Sequence, residues 1–300
     1  MSNFWGAYQI PIGYFFIKGK FIMREITLKT AEEFKEKLER EEKSPLTVKK
    51  YVRDVKTFIR FADIKEISKQ SVLEYKNHLL KIHTVRSVNS MLAALNGFFD
   101  FLGRLDLKTK SVKLQREVFC PETKELTRAE YVRLCRTAEK CGNMRLNLIL
   151  QTLCATGIRI SELRFVTVES AKSGEMTVSC KAKTRTVFII RELKDKLLRY
   201  ARQRGIKSGM IFVTRSGSAV DRTNIWREMK SLCINANVNP QKVFPHNLRH
   251  LFARVFYSMK KDIAKLADIL GHSSIDTTRI YIISTGAEHR RCMESMHLLI

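Results

Sequence analysis

Residues 269–281 read ILGHSSIDTTRIY. Gly271 stops a helix, since a residue without Cβ takes the left-handed capping conformation at no steric cost. The spacing predicts one helix over about 262–270, a turn carrying His272, and a second helix over about 274–281 that carries Tyr281. A tyrosine placed there is, by itself, an ordinary half-buried aromatic. Three stretches upstream change that reading.

The first, FPHNLRHLFA at 244–253, sets His246 and Arg249 three residues apart on one helical face. Leu248, Leu251, Phe252, Val255 and Phe256 form the apolar stripe that pins the helix into a core. His250 reads as a capping histidine beside a solvated arginine. The second, ATGIRISEL at 155–163, uses Gly157 for a sharp entry and lets Arg159 open a new helical turn, with Glu162 following. The third, SCKAKTRTVF at 179–188, groups Lys181, Lys183 and Arg185 around a hairpin turn. Each is unremarkable alone: a surface arginine, a basic turn, a helix cap.

Between these motifs the chain alternates pattern. From Ser44, SPLTVKKYVRDVKTFIRFA predicts a helix with Ser44 as N-cap, Pro45 at the first position and Val48, Val55, Phe58 and Ile59 on one face. A second helix is expected over Ser68 to Ile82, and a third carries Val88, Met91, Leu92, Leu95, Phe98, Phe99 and Leu102. Residues 108–125 are charged and interrupted by Pro121, as in an exposed linker. Thr127 and Glu130 make a capping box that starts a helix running to about Lys140, followed by another over 143–154. FVTV, MTVSC and RTVFII, within 165–190, are short β-branched runs and predict a small antiparallel sheet. Further helices are expected at about 192–204, 221–235 and 246–258. The fold class is therefore mainly α with a small antiparallel β-sheet. The organisation is a helical domain at 23–107, a linker at 108–125 and a mixed α/β domain at 126–300. Residues 1–22 stand apart as an extension or a misassigned start, with Met23 as the alternative initiator.

The formal charge is +25, and Lys and Arg exceed Asp and Glu by 8 through residue 125 and by 17 beyond it. So lopsided a chain repels itself unless a polyanion shares the load, and nucleic acid is the usual one. Seven cysteines with no CxxC pair exclude a regular zinc site or disulfide framework and suit reduced cytoplasmic thiols. No apolar run is long enough to span a bilayer. There is no Walker A loop and no carboxylate cluster suited to two metals, so neither cofactor nor metal is expected.

Taken together and in order, the four motifs resemble the Arg, Lys, His-x-x-Arg, His and Tyr signature of the tyrosine recombinases, or phage integrases, over roughly residues 127–285. The helical region 44–102 is similar to that family's core-binding, SAM-like DNA-binding domain. LGHSSIDTTRIY is the most specific piece. With no separate arm-binding domain in front, the chain looks closest to the simple two-domain, Xer-like members.

The resemblance implies a site-specific recombinase that cleaves and rejoins DNA through a 3′-phosphotyrosyl intermediate, without metal or ATP. Arg159 and Arg249 would be its catalytic arginines, Lys181 its hairpin lysine, His246 and His272 its histidines and Tyr281 its nucleophile. The hairpin departs from the family's Gly-Lys-Gly, having Cys180 and Ala182 around Lys181, so Lys183 stands as the alternative. Implied partners are double-stranded DNA, a homotetramer spanning two sites, an accessory directionality factor and no membrane; the implied location is the cytoplasm, on the nucleoid. A type IB topoisomerase-like enzyme and a non-catalytic DNA-binding regulator on the same scaffold are the alternatives.

The residue types suit the chemistry. A phosphodiester gains charge on its equatorial oxygens at the transition state, and guanidinium, always protonated and forked, matches those oxygens. A phenol ionises near pH 10, so it needs a nearby cation or base when it attacks. The leaving 5′ oxygen needs a proton, which a hairpin lysine can carry into the groove. His272 is expected to hydrogen-bond the phosphate, and Glu162 to orient side chains. Because a phosphotyrosine keeps the ester bond, a 5′ hydroxyl reseals the strand without external energy.

Overall fold

The structure is a computed structural model that describes residues 14–17, 20–23, 26–62, 67–114, 125–180, 183–214, 216–281, 290–291 and 293–296. The chain divides into two compact units, Met1–Arg116 and Glu117–Ile300.

In the first unit a hairpin pairs β1 (Tyr14–Ile17) with β2 (Lys20–Met23), all but Met23 within residues 1–22, which the sequence set apart as an extension or a misassigned start. Four helices follow: α1 (Leu28–Arg40), α2 (Pro45–Ala62), α3 (Lys69–Ile82) and α4 (Val85–Leu102). The last three are those expected, and their starts are set by local chemistry. Ser68 accepts the backbone N–H of Ser71, and Thr84 that of Ser87. α1 is additional. Its Ala31, Phe34 and Leu38 are buried among glutamates and lysines, a stripe too narrow to stand out by composition. Phe34, Val55, Phe58, Val72, Leu92, Phe98 and Phe99 close the core.

The chain after α4 is not free where the linker was expected to begin. Asn96 receives the Thr109 N–H at 3.0 Å and donates to its carbonyl at 2.9 Å, and Asn89 does the same for Val112 at 2.8 and 2.9 Å. Lys76 donates to the Lys110 carbonyl at 2.7 Å. Two asparagines seven residues apart on α4 thus hold residues 109–112 as a neighbouring strand would. Residues 115–124 of the expected linker lie outside the described residues.

The second unit is built around α6 (Met144–Thr156), whose Leu146, Leu148, Ile149, Leu150 and Leu153 are all buried. Around it lie α5 (Arg128–Lys140), opened by the Thr127–Glu130 capping box, then α7 (Val168–Ser173), α8 (Arg191–Gln203) and α9 (Arg222–Asn235). The sheet is one antiparallel pair, β3 (Glu175–Cys180) with β4 (Lys183–Phe188). FVTV is not a strand. Thr167 and Ser170 cap each other reciprocally and turn the chain into α7, leaving Thr167 only an isolated bridge to Met210. The β-branched residues there marked burial, which a helix start satisfies as well as a strand does. α10 (Pro245–Lys260), α11 (Ile263–Leu270) and the short α12 (Ile275–Arg279) complete the unit, the last ending before Tyr281. Among the described residues no helix is long and apolar enough to cross a membrane.

Candidate active site

Two glycine corners make room for the site. Gly157 ends α6 at φ 64°, and a Cβ there would lie 2.5 Å from Phe252 Cδ1. Gly271 ends α11 at φ 66°, and a Cβ there would lie 2.8 Å from Arg185 Cδ. Both positions need glycine twice over, for the left-handed backbone and for the close approach. Pro245 at the first position of α10 then sets His246 in its first turn and Arg249 and His250 in the next.

Arg249 is 1% exposed. Its Nη1 donates to the Gly157 carbonyl at 2.6 Å, and its Nη2 to the Leu270 carbonyl at 2.7 Å and to His272 Nε2 at 2.8 Å. Two of its five N–H groups are not spent on these acceptors, including a buried Nε with no partner. Burial and the charge of Arg159 lower its pKa to about 10, while Tyr281 and Glu162 oppose them, so it stays cationic at neutral pH.

A guanidinium has no lone pair to offer, so His272 Nε2 must be the acceptor. The ring proton therefore sits on Nδ1, which donates to Thr278 Oγ1 at 2.8 Å. His272 is accordingly neutral, its pKa pushed down to about 4 by burial and by Arg249, Arg159 and Arg185. Expected to hydrogen-bond a phosphate, it here has both ring nitrogens engaged and holds the Arg249 fork in place.

Tyr281 is 5% exposed and lies inside this cluster. Its Oη is 3.4 Å from His246 Nε2. Its ring stacks on His272 at 5.2 Å, tilts against His250 at 4.3 Å, and has Arg249 Cζ over it at 5.9 Å. Although His246 keeps one side open to solvent, the protein packed round its ring and the charges of Arg249 and Arg159 lower its proton affinity. His250 is no helix cap. It packs between His246, at 4.8 Å, and Tyr281, and burial, with His246 and Arg249 beside it, brings its pKa to about 4. The signal for it was present, because positions 246 and 250 are one helical turn apart.

A second group adjoins the first. Arg159 caps a 3-10 turn over Ile160–Phe165; its backbone N–H donates to Glu162 Oε2 at 2.8 Å and its Nη1 to Oε1 at 3.0 Å. Glu162, 2% exposed, also takes Arg185 Nη1 at 3.1 Å and Nη2 at 2.7 Å. Burial would raise the Glu162 pKa, but Arg185 and Arg159 together hold it below the usual carboxylate range. Glu162 thus accepts from both guanidinium groups at once. Lys183 opens β4 opposite Cys180, whereas Lys181 lies outside the described residues. Five of the six expected site residues therefore converge, and with Glu162 and Arg185 they leave three guanidiniums against one carboxylate. That excess charge and a histidine-bonded phenol are what a nucleophilic attack on an anionic ester requires.

The chain belongs to the phage integrase family, whose model matches residues 124–288, and the N-terminal SAM-like domain of phage integrases matches residues 31–105. It is a tyrosine-type site-specific recombinase. It is 31% identical to the tyrosine recombinase XerA of Pyrococcus furiosus, over 92% of this chain and 98% of that protein. A crystal structure of XerA recombinase superposes with a TM-score of 0.52 at 27% identity, covering 91% of this chain and 99% of that one. A lambda integrase tetramer bound to a Holliday junction shares the fold, with a TM-score of 0.68 at 16% identity over 84% of this chain and 76% of that one.

Proposed function

We propose that this recombinase cuts duplex DNA with Tyr281 and holds the scissile phosphate between Arg159 and Arg249. The Tyr281 Oη attacks phosphorus as its proton passes to His246 Nε2, which lies 3.4 Å away. The lowered proton affinity of His246 keeps that nitrogen free to accept. The P–O5′ bond breaks, and the departing 5′ oxygen takes a proton from Lys181, with Lys183 as the alternative donor. A 5′ hydroxyl then attacks the phosphotyrosine and gives its proton to the lysine, the bond from phosphorus to Tyr281 Oη breaks, the phenolate recovers its proton from His246, and the strand is resealed. The Arg249 guanidinium would turn towards the equatorial oxygens the N–H groups that the Gly157, Leu270 and His272 acceptors do not hold, where such donors are worth about 10²–10³ in rate.

The observation that carries this reading is the phenol of Tyr281 hydrogen-bonded to His246 with a buried guanidinium over its ring. The first unit would serve as the helical core-binding domain and the second as the catalytic domain. The working assembly would be a homotetramer on two sites, in the nucleoid. An accessory factor that sets direction belongs to the same reading.

The test uses duplexes selected by the protein from a random pool and nicked just downstream of the scissile phosphate, so that the short fragment bearing the released 5′ hydroxyl diffuses away. The wild-type chain traps a covalent adduct, whereas Tyr281→Phe binds equally well and traps none. An adduct at normal yield from Tyr281→Phe sinks the proposal. Strand exchange by the purified chain alone would remove the need for an accessory factor, and light scattering that finds one protomer per site would remove the tetramer.

A further inference from the structure

We propose that Arg185 is a positioning residue of the cationic site: by neutralising Glu162 it leaves the Arg159 guanidinium free to face a phosphate. The inference rests on the recombinase reading above and concerns a side chain outside the six that the family resemblance implies.

The register of the hairpin sets Arg185 opposite Val178. It therefore shares the sheet face on which Met176, Val178 and Val187 are buried. Its side chain is only 13% exposed, against 36% for that of Arg159. A cation on a core face must find a counter-ion, and Arg185 meets Glu162 through both Nη atoms, at 3.1 and 2.7 Å. Arg159 reaches the same carboxylate through one side-chain nitrogen. The buried arginine thus takes the bidentate grip and the open arginine keeps the lesser share.

The charge arithmetic follows from that division. Glu162 with Arg159 alone would be a neutral pair, in which both carboxylate oxygens could draw the Arg159 fork inward. With Arg185 present the trio carries +1, and that surplus belongs to the exposed member. The turn at His272 is built around the same side chain. Where Gly271 lacks a Cβ, Arg185 Cδ and Nη1 occupy the space, 2.8 and 3.0 Å from where that atom would stand. Arg185 thereby connects Arg159 and Glu162 to the turn whose Leu270 and His272 hold Arg249.

Single-turnover capture of the nicked duplex tests the assignment, with melting temperature and duplex affinity measured on every variant. Arg185→Gln is expected to slow capture roughly tenfold to a hundredfold, the size of one displaced charge contact, at near wild-type affinity. Adding Glu162→Gln to Arg185→Gln should recover several-fold of that loss, because the unpaired carboxylate is gone. A role confined to holding the fold would make the double variant slower still. Arg185→Lys, which keeps the charge, should capture faster than Arg185→Gln, and within about tenfold of wild type if the glutamine variant does not fold. Arg185→Gln at the wild-type rate, a double variant with no recovery, or a folded Arg185→Lys more than a hundredfold slow overturns the proposal. If the wild-type chain captures nothing, the recombinase mechanism itself fails and this inference falls with it.

Discussion

Replacing Gly157 by alanine should damage the second unit in two separable ways. At φ 64° an L-residue costs about 1–2 kcal/mol relative to glycine. The new methyl would lie 2.5 and 2.8 Å from two Phe252 ring carbons and 3.1 Å from Leu270 Cδ2, so packed side chains must move. Crowding of that kind costs about 1–3 kcal/mol. The total of about 2–5 kcal/mol lowers the melting temperature of a unit of this length by roughly 4–20 °C. Gly142→Ala is the control, since Gly142 has a similar φ of 69° but nothing within 4 Å of its missing Cβ. It shares the backbone strain and the altered unfolded-state entropy, so the difference in melting temperature between the two variants isolates the crowding. Gly157 also offers the carbonyl that holds Arg249 Nη1, so DNA capture should fall further than the lost stability explains. Equal melting temperatures for the two variants would refute the close approach of Phe252 and Leu270, and with it this account of how Arg249 is held.

Other outcomes follow from the same geometry. Arg249→Lys should lose about 10²–10³ in cleavage, because an ammonium cannot bridge the Gly157 and Leu270 carbonyls and His272 as the fork does; a single-turnover rate near wild type would exclude the clamp. His250 and His272 each have a folded pKa near 4, below the unfolded value of 6.5. The unfolded chain therefore binds their protons first, and stability that is complete above about pH 6.5 drains away as the pH falls towards 4. Melting temperatures should fall as the pH drops across that range, and His250→Gln should make the fall shallower; an equal fall for the variant contradicts the assignment. Asn96→Ala strips the partners from the Thr109 N–H and carbonyl, at about 1–3 kcal/mol for groups left unsatisfied. Limited proteolysis should then cut within 108–114 faster than in the wild-type chain, and an unchanged rate would show that the strap carries no load.

Helix starts and stops were legible in the sequence because they depend on neighbours three or four residues away. Ser44 with Pro45, Ser68, the Thr127–Glu130 box, Gly157 and Gly271 all act as read. The FVTV run misled for a related reason, since β-branching reports burial and the Thr167–Ser170 cap decides the backbone. Motif order sufficed to nominate Arg159, His246, Arg249, His272 and Tyr281. Their division of labour depends on contacts across the fold, which no local pattern encodes. Arg249 reaches Gly157 and Leu270 from 92 and 21 residues away, and Arg185 meets Glu162 across 23.

Sequence alone therefore determined the helical composition, the cationic character and the family, because capping, periodicity, charge and motif order are all written in residues near one another. Tertiary structure alone decided that Arg249 is buried, that His272 is a neutral Nδ1–H tautomer and that His250 lies against the phenol. It also decided that Glu162 is shared between two arginines. Protonation and donor direction are set by whichever groups close packing brings within about 3 Å, and chain spacing carries no information about that once the separation exceeds a helical turn.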